Sequence, residues 1–254
     1  MPARERHAPG SFCYPEVSVP DVARAAAFYG PILGWEIGPV PGGGYHLARR
    51  GGRVVAGVHA PPGVPANWLC YVRVDSADAA AAKAAGLGAR VRHAPFDIPG
   101  IGRMAMLQDP ADALFALWEP KGMDGVGLVD EPGAPCWWEL LTRDADAARA
   151  FYAGLFGWKP QPMPLSSAGM AYTLFRNGSD PAGGMMPLPR GPLGDAPPHW
   201  CPYFAVEDCD GAAALCAGKG GRVVQPPRDL PLVGRFAVLA DPDGARFAVI
   251  RAGA

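Results

Sequence analysis

The sequence predicts an α+β protein made of two copies of one module. A long internal repeat is the first observation: residues 13–35 match residues 136–158, and residues 68–75 and 98–110 recur in the second half at a constant spacing. The second observation is the order of strand-like and helix-like patterns, which is the same in both copies. A repeat of this length exceeds the ~20–50 residues of a solenoid unit and indicates a duplicated module.

Each copy begins with a strand followed by a helix. Residues 13–19 have strand character, and Asp21 is a suitable N-cap for a helix whose apolar residues recur at helical spacing as far as Gly34. The second copy repeats this arrangement from Asp144 to Gly157. Both copies are therefore predicted to open with the same strand and capped helix.

A β-hairpin follows the helix in each copy. In the first copy residues 45–49 and 54–58 flank Gly51-Gly52, and in the second copy the turn is Asn177-Gly178. The first copy continues with a strand at 68–74, a helix from Ser76 to about Ala85, and two closing strands around 103–107 and 114–118. We expect module 1 at residues 10–119, a linker rich in glycine and acidic residues at 120–132, and module 2 at residues 133–252.

The composition argues against two classes of partner. The net charge of −1 at pH 7 provides no basic surface for nucleic acid or for an anionic membrane. No apolar run reaches the ~20 residues of a membrane span, and no signal-peptide core is recognisable near the start. We therefore expect a cytoplasmic protein with six reduced cysteines. It is expected to be a monomer of two modules or a homodimer.

The repeated motifs resemble those of one known superfamily. The first motif runs from Asp21 through Phe28-Tyr29 to Trp35, and the second is the strand–turn–strand around Asp109-Pro110; both recur in the second copy. This pattern resembles the vicinal oxygen chelate superfamily, which includes glyoxalases, bleomycin-resistance proteins and extradiol dioxygenases. The resemblance implies two tandem βαβββ modules that form a cupped sheet around a small-molecule site.

The superfamily's enzymes bind a divalent metal inside the cup, so the corresponding positions decide whether a metal is expected here. The resemblance places these positions at Tyr14, Trp137, Ala116, Ala248 and, within about one residue, Leu69 and Cys201. Of these side chains, only the Cys201 thiol is a metal ligand. We therefore expect no resident metal. A divalent ion held by Glu16, Glu139, His199 or Cys201 remains the alternative.

Glu16 and Glu139 are equivalent residues on the first strand of each copy, and they are the candidate catalytic residues. Strand alternation places each on the face opposite the helix, which is the concave face of the cup. Partial desolvation there should raise the pKa of a carboxyl unless a cation compensates. Each can serve as a general base, a ligand anchor or a metal ligand. The alternative is a structural pairing of Glu16 with Arg235 and of Glu139 with Arg103.

The candidate ligand-binding residues are mostly aromatic. The full set is Tyr14, Trp137, Tyr71, Tyr203, Trp118, Arg103, Arg235 and His199. Flat apolar walls suit a planar aromatic ligand, although packing between modules explains the same rings. The two arginines end loops that would overhang the cup, and His199 lies at the start of a strand, where a surface position is the alternative.

Two functional hypotheses follow from the fold and from the altered metal positions. The main hypothesis is a metal-free protein, bleomycin-resistance-like, that binds or sequesters an aromatic or carbonyl-rich metabolite or antibiotic, or a cofactor-free enzyme built on the same cup. The alternative is a glyoxalase-type lyase or dioxygenase with a non-standard divalent metal site. A third possibility is a scaffold whose sites have been lost. Catalysis itself stays open at this stage.

Overall fold

A computed structural model describes residues 7–165, 170–188, 195–231 and 233–253. In these ranges the chain forms sixteen strands and four helices, which confirms the predicted α+β class. None of the helices in the described ranges has the length and apolar character needed to cross a membrane. The elements follow the same order in both halves of the chain.

The first half of the chain contains eight strands and two helices. They are β1 (Phe12–Ser18), α1 (Val22–Leu33), β2 (Glu36–Pro39), β3 (Tyr45–Arg50), β4 (Arg53–His59), β5 (Asn67–Arg73), α2 (Ala77–Gly86), β6 (Arg90–Ile98), β7 (Gly102–Gln108) and β8 (Leu114–Pro120).

The second half repeats this order. Its elements are β9 (Pro135–Thr142), α3 (Ala145–Phe156), β10 (Lys159–Leu165), β11 (Met170–Asn177), β12 (Asp180–Pro187), β13 (His199–Ala205), α4 (Cys209–Gly218), β14 (Arg222–Leu230), β15 (Gly234–Ala240) and β16 (Arg246–Ala252).

The predicted helix ends coincide with observed caps. The Asp21 carboxylate accepts hydrogen bonds from the amides of Ala23 and Arg24 at 2.8 and 3.1 Å, and Gly34 ends α1 in the left-handed conformation at φ 67°. In α3, Asp144 accepts from the Ala147 amide at 2.9 Å and Gly157 ends the helix at φ 73°. These local signals act in the first and last turn, which is why the sequence alone identifies them.

Four strands were not predicted: β2, β6, β10 and β14. They lie at the edges of the sheet, where one side of the strand has no neighbour. Most of β6 is exposed, and β10 contains three prolines among its seven residues. Such strands need not bury either face, so their apolar residues do not alternate with polar ones. The hydrophobic periodicity of the sequence therefore did not indicate these strands.

Each module contains two βαβββ units, and these two units form one cup. In the first module β1 pairs antiparallel with β5 and parallel with β4, while β5 pairs parallel with β8. The second module repeats these pairings around β9 and β13. Glu16 and Glu139 therefore lie in separate cups. Cup 1 is formed by residues 12–120 and cup 2 by residues 135–252.

The two modules contact each other through reciprocal hydrogen bonds from the repeated motifs. Tyr29 of α1 donates to Asp241 in the turn before β16, and Tyr152 of α3 donates to Asp109 in the turn before β8, both at 2.9 Å. Burial raises the pKa of both carboxyls, and the tyrosine hydroxyls partly offset this effect. The Phe-Tyr and Asp-Pro motifs thus join the modules.

The tryptophans of the same motif make a second reciprocal pair. Trp35 Nε1 donates to the Gly133 carbonyl at 2.6 Å, and Trp158 Nε1 donates to the Gly10 carbonyl at 2.8 Å. Both rings are buried, with 6% and 1% of their surface exposed. The helices and these rings therefore fill the space between the modules, and the concave faces of the two sheets remain free to form cavities.

Candidate functional site

Cup 2 encloses a cavity of about 490 Å³ with a carboxyl group in its wall. Glu139 on β9 accepts a hydrogen bond from Tyr203 of β13 at 2.7 Å, and Tyr172 of β11 is its second phenolic partner. Trp137 Nε1 donates to the Tyr172 hydroxyl at 3.1 Å. Three strands of one module thus position a Glu–Tyr–Tyr group in the cup.

Glu139 is nearly inaccessible to solvent, with 8% of its surface exposed. Burial raises its pKa above the ordinary value, although the hydrogen bonds from Tyr203 and Tyr172 and the charge of Arg228 act in the opposite direction. A protonated carboxyl can donate a hydrogen bond, which a carboxylate cannot. The raised pKa therefore favours the form of Glu139 that can donate a hydrogen bond to a ligand carbonyl at the wall of cup 2.

The rest of the cavity wall is mostly apolar, and two arginines also line it, Arg228 and Arg246. The apolar residues include Leu141, Met163, Met186, Phe236, Val238 and Ile250. Arg228 is exposed and lies over the Phe236 ring at 5.2 Å, a cation–π distance. Burial lowers the pKa of Arg246 and of His199, and His199 Nδ1 donates to the Pro197 carbonyl at 2.8 Å.

Cup 1 repeats the Glu–Tyr–Tyr group in a smaller cavity of about 340 Å³. Glu16 accepts hydrogen bonds from Tyr45 at 2.5 Å and from Tyr71 at 3.0 Å, and Tyr14 contacts the Tyr45 hydroxyl at 3.0 Å. His59 Nε2 lies 3.2 Å from the Glu16 carboxyl. The residue at the equivalent position in cup 2 is Met186.

A glycine makes room for one tyrosine in each cup. A Cβ atom at Gly57 would overlap the hydroxyl of Tyr45, and a Cβ atom at Gly184 would overlap the hydroxyl of Tyr172. These glycines are the register partners of Glu16 and Glu139 on the adjacent strand. Their missing side chains let the hydroxyls reach the carboxyl groups.

Eight of the ten predicted site residues line the two cavities. Cup 1 contains Tyr14, Glu16, Tyr71 and Trp118, and cup 2 contains Trp137, Glu139, His199 and Tyr203. The predicted orientation of both glutamates towards the concave face agrees with this placement. No contact in the described residues assigns a catalytic role to either glutamate, so that role stays a prediction.

Arg103 and Arg235 were predicted to reach the cups, and the structure places them elsewhere. Arg103 makes a bidentate ion pair with Asp78 at 2.7 and 2.9 Å, and Arg235 does the same with Asp210 at 2.6 and 2.8 Å. Both aspartates lie in the first turn of a helix, α2 or α4. The proposed pairing of these arginines with Glu16 and Glu139 is therefore wrong, because nearer carboxylates bind them.

The sequence interpretation missed three residues that shape the cavities. Tyr45 and Tyr172 begin the matched hairpins, and their identity at equivalent positions was the signal that could have revealed them. Arg228 begins the segment that was expected to overhang the cup, but the binding role was assigned to Arg235 at its end, and Arg228 lies on β14, a strand that was not predicted. The pairing of β14 with β15 brings Arg228 near cup 2.

The donor sets of the two cups do not fit a resident divalent metal. Within the described ranges no group of three or more His, Cys, Asp and Glu side chains is close enough to hold one. In the described part of the chain, Cys201 is the second candidate ligand beside Glu139, and burial together with the charge of Glu139 raises the pKa of that thiol, which opposes thiolate formation. Beside Glu16, the second candidate ligand among the described residues is His59. Both sets fall below the three protein ligands typical of catalytic sites.

Comparison with known families identifies both halves of the chain. Residues 16–118 match the family described as "Glyoxalase-like domain", and residues 136–249 match the "Glyoxalase/Bleomycin resistance protein/Dioxygenase superfamily". The chain belongs to this superfamily. The resemblance to vicinal oxygen chelate proteins and the tandem arrangement are thereby confirmed.

Several superfamily members are similar over almost the full length of the chain. The Mycobacterium tuberculosis protein named "Putative glyoxylase CFP32" is 39% identical over 99% of this chain and 98% of its own. Anthracycline biosynthesis protein DnrV of Streptomyces peucetius is 37% identical over 96% of this chain and 94% of its own.

Solved structures of the superfamily share the fold. The Mn(II)-bound glyoxalase from Novosphingobium aromaticivorans superimposes with a TM-score of 0.65 at 18% identity, covering 97% of this chain and 83% of that one. The 2,3-dioxygenase LapB from Pseudomonas sp. KL28 has a TM-score of 0.65 at 14% identity, covering 96% of this chain and 92% of that one. At these identities the likeness concerns the fold alone.

Proposed function

We propose that this superfamily member binds a planar, carbonyl-bearing aromatic small molecule in cup 2, without a resident metal. The observation that carries the proposal is the buried Glu139 with its two tyrosine partners in the wall of a largely apolar cavity. A small number of polar groups in an otherwise apolar cavity is typical of sites that orient a ligand. The cavity volume of about 490 Å³ suits a ligand of several rings.

The protonation state of Glu139 determines which polar group of a ligand it can bind. Burial raises the pKa of Glu139 and so shifts the carboxyl towards its neutral form, whose O–H group can donate a hydrogen bond to a carbonyl oxygen of the ligand. Arg228 and Arg246 add positive charge beside the cavity, which stabilises negative charge on phenolic or carbonyl oxygens. The site therefore favours a ligand that is rich in oxygen acceptors.

The relatives support the same ligand class. Two of them, from Streptomyces peucetius and Streptomyces sp. strain C5, are named for anthracycline biosynthesis, and anthracyclines are fused-ring aromatic ketones. A molecule of this class matches the apolar walls and the hydrogen-bond donor of cup 2. The name of the mycobacterial relative points to glyoxalase chemistry, but the donor sets described above lack the ligands for its metal.

The test is calorimetric titration of the protein with quinizarin, a dihydroxyanthraquinone, with and without EDTA. We expect saturable binding that EDTA does not change. Glu139→Gln keeps a hydrogen-bond donor and should bind about as well as the wild type. Glu139→Leu removes the donor and should bind about tenfold more weakly, a loss of about 1.4 kcal/mol. Glu16→Gln is the matched control, because it changes the equivalent carboxyl in the other cup.

The affinity of the wild type should also fall as the pH rises and Glu139 loses its proton, whereas Glu139→Gln should show no such fall. Equal affinity of the wild type and Glu139→Leu would contradict the anchoring role. Loss of binding in EDTA that Mn²⁺ restores would contradict the metal-free site and favour a metal-dependent lyase or dioxygenase.

A further inference from the structure

Cup 1 differs from cup 2 in the charge of its wall. Among the residues that the structure describes, no lysine or arginine lines the smaller cavity, and Glu16 is the one carboxyl group in its lining. Glu16 is largely removed from solvent, with 8% of its surface exposed. His59 Nε2 lies 3.2 Å from this carboxyl but does not line the cavity, so the cavity wall itself presents Glu16 with no lysine or arginine beside it in the described residues. Such a wall favours a positively charged ligand, because little water is present to screen the carboxyl group.

Aromatic rings surround this carboxylate. Tyr14 and Tyr71 meet edge to face with ring centres 5.7 Å apart, and Tyr71 and Trp118 do so at 6.2 Å. Tyr45 lines the same cavity. Rings that meet nearly at right angles form adjoining walls, so together they surround a ligand on several sides. A cation over such π faces is attracted by their negative quadrupole.

The hydroxyl groups of the tyrosines are already engaged, which leaves the ring bodies as the contact surface. Tyr45 and Tyr71 both donate to Glu16, and Tyr14 contacts the Tyr45 hydroxyl. This network holds the carboxylate in one position at the cavity wall. Trp118 is held by a hydrogen bond from Nε1 to the Met123 carbonyl at 2.8 Å. The cage is therefore pre-formed and needs little ordering when a ligand enters.

The geometry points to cup 1 as a second ligand site, an aromatic cage for an organic ammonium cation. The carboxylate of Glu16 provides the counter-charge, and Tyr14, Tyr45, Tyr71 and Trp118 provide the π faces. A methylated or alkylated ammonium suits this site better than a hydrated metal ion, since one carboxylate cannot replace a metal's hydration shell. The cavity of about 340 Å³ accommodates a small amine.

The experiment is calorimetric titration with benzyltrimethylammonium and choline, and with dimethylbutanol, the uncharged analogue of choline. The two cations should bind with one-to-one stoichiometry, and the uncharged analogue should bind at least about tenfold more weakly. Glu16→Gln keeps the volume of the side chain and should weaken cation binding by about tenfold or more. Glu139→Gln, the matched control in cup 2, should leave cation affinity unchanged.

A second variant keeps the proposal testable if Glu16→Gln does not fold. Leu47 lines cup 1, so Leu47→Lys would place the protein's own ammonium group in the cage and should abolish binding of benzyltrimethylammonium. Equal binding of choline and dimethylbutanol would overturn the proposal, as would unchanged cation affinity in both Glu16→Gln and Leu47→Lys. Quinizarin binding in cup 2 is measured separately, so the two proposals fail independently.

Discussion

The two cups share a framework and differ in the residues around it. Both place a glutamate on the first strand, with tyrosines from two neighbouring strands as its partners. Around this group, His59 corresponds to Met186, Trp118 to Ile250 and Leu114 to Arg246. The duplicated backbone therefore sets the position of the carboxyl group, while a few wall residues set the charged groups of each cavity.

The interface between the modules shows the opposite behaviour. There Tyr29 and Tyr152, and likewise Trp35 and Trp158, make equivalent bonds in both directions. Interface variants should therefore have matched effects, whereas variants in the cups should not.

The largest expected effect is on stability at the interface. Trp35→Ala and Trp158→Ala each remove a buried ring and a hydrogen bond to the other module, so each should lower the free energy of unfolding by about 3–5 kcal/mol. Urea unfolding followed by circular dichroism measures both losses. A large loss of unfolding free energy in one variant and a negligible loss in the other would show that the two tryptophans do not contribute equally to the interface.

The next effect separates the cups through their glycines. In Gly184→Ala the new methyl group overlaps the Tyr172 hydroxyl, so the tyrosine must leave Glu139 and quinizarin affinity should fall about tenfold or more. Gly57→Ala displaces Tyr45 in cup 1 instead and should leave quinizarin affinity unchanged while weakening choline binding. Calorimetric titration measures both ligands. Equal losses of quinizarin affinity in the two variants would contradict separate sites.

A smaller effect concerns the pH dependence of stability. Because the folded-state pKa of Glu139 is raised, its ionisation costs folding free energy above that pKa, and the cost is absent below the unfolded pKa. Glu139→Gln should therefore gain stability relative to the wild type as the pH rises above the ordinary glutamate pKa of about 4.3. Urea unfolding at a series of pH values measures the difference. The exposed Asp180→Asn is a control for loss of one carboxyl, and an opposite slope in Glu139→Gln would contradict the prediction.

The smallest effect is expected from the two arginines outside the cups. Arg103→Met and Arg235→Met break ion pairs with Asp78 and Asp210, so each should lower the melting temperature slightly at low salt and less at high salt. Neither should change the affinity for quinizarin or choline. Differential scanning calorimetry and titration measure the two outcomes. A specific loss of ligand affinity in either variant would show that the arginine takes part in ligand binding, contrary to its position outside the cups.

The parts of the site that the sequence revealed depend on local or repeated signals. Strand alternation places Glu16 and Glu139 on the concave face, since adjacent side chains in a strand must point to opposite sides. The assignment of Arg103 and Arg235 failed because a long flexible side chain binds the nearest carboxylate. Here that carboxylate comes from a helix brought close only by folding.

The sequence by itself determined the superfamily, the duplication, the capped helices and the identity of the buried carboxyls. These features depend on residue type and on short-range spacing, which folding does not change. The tertiary structure decided that each module closes its own cup, because strand pairing joins segments that are distant along the chain. It also decided which side chains meet Glu16 and Glu139, and that Arg228 and Arg246 line cup 2 whereas no lysine or arginine lines cup 1 in the described part of the chain.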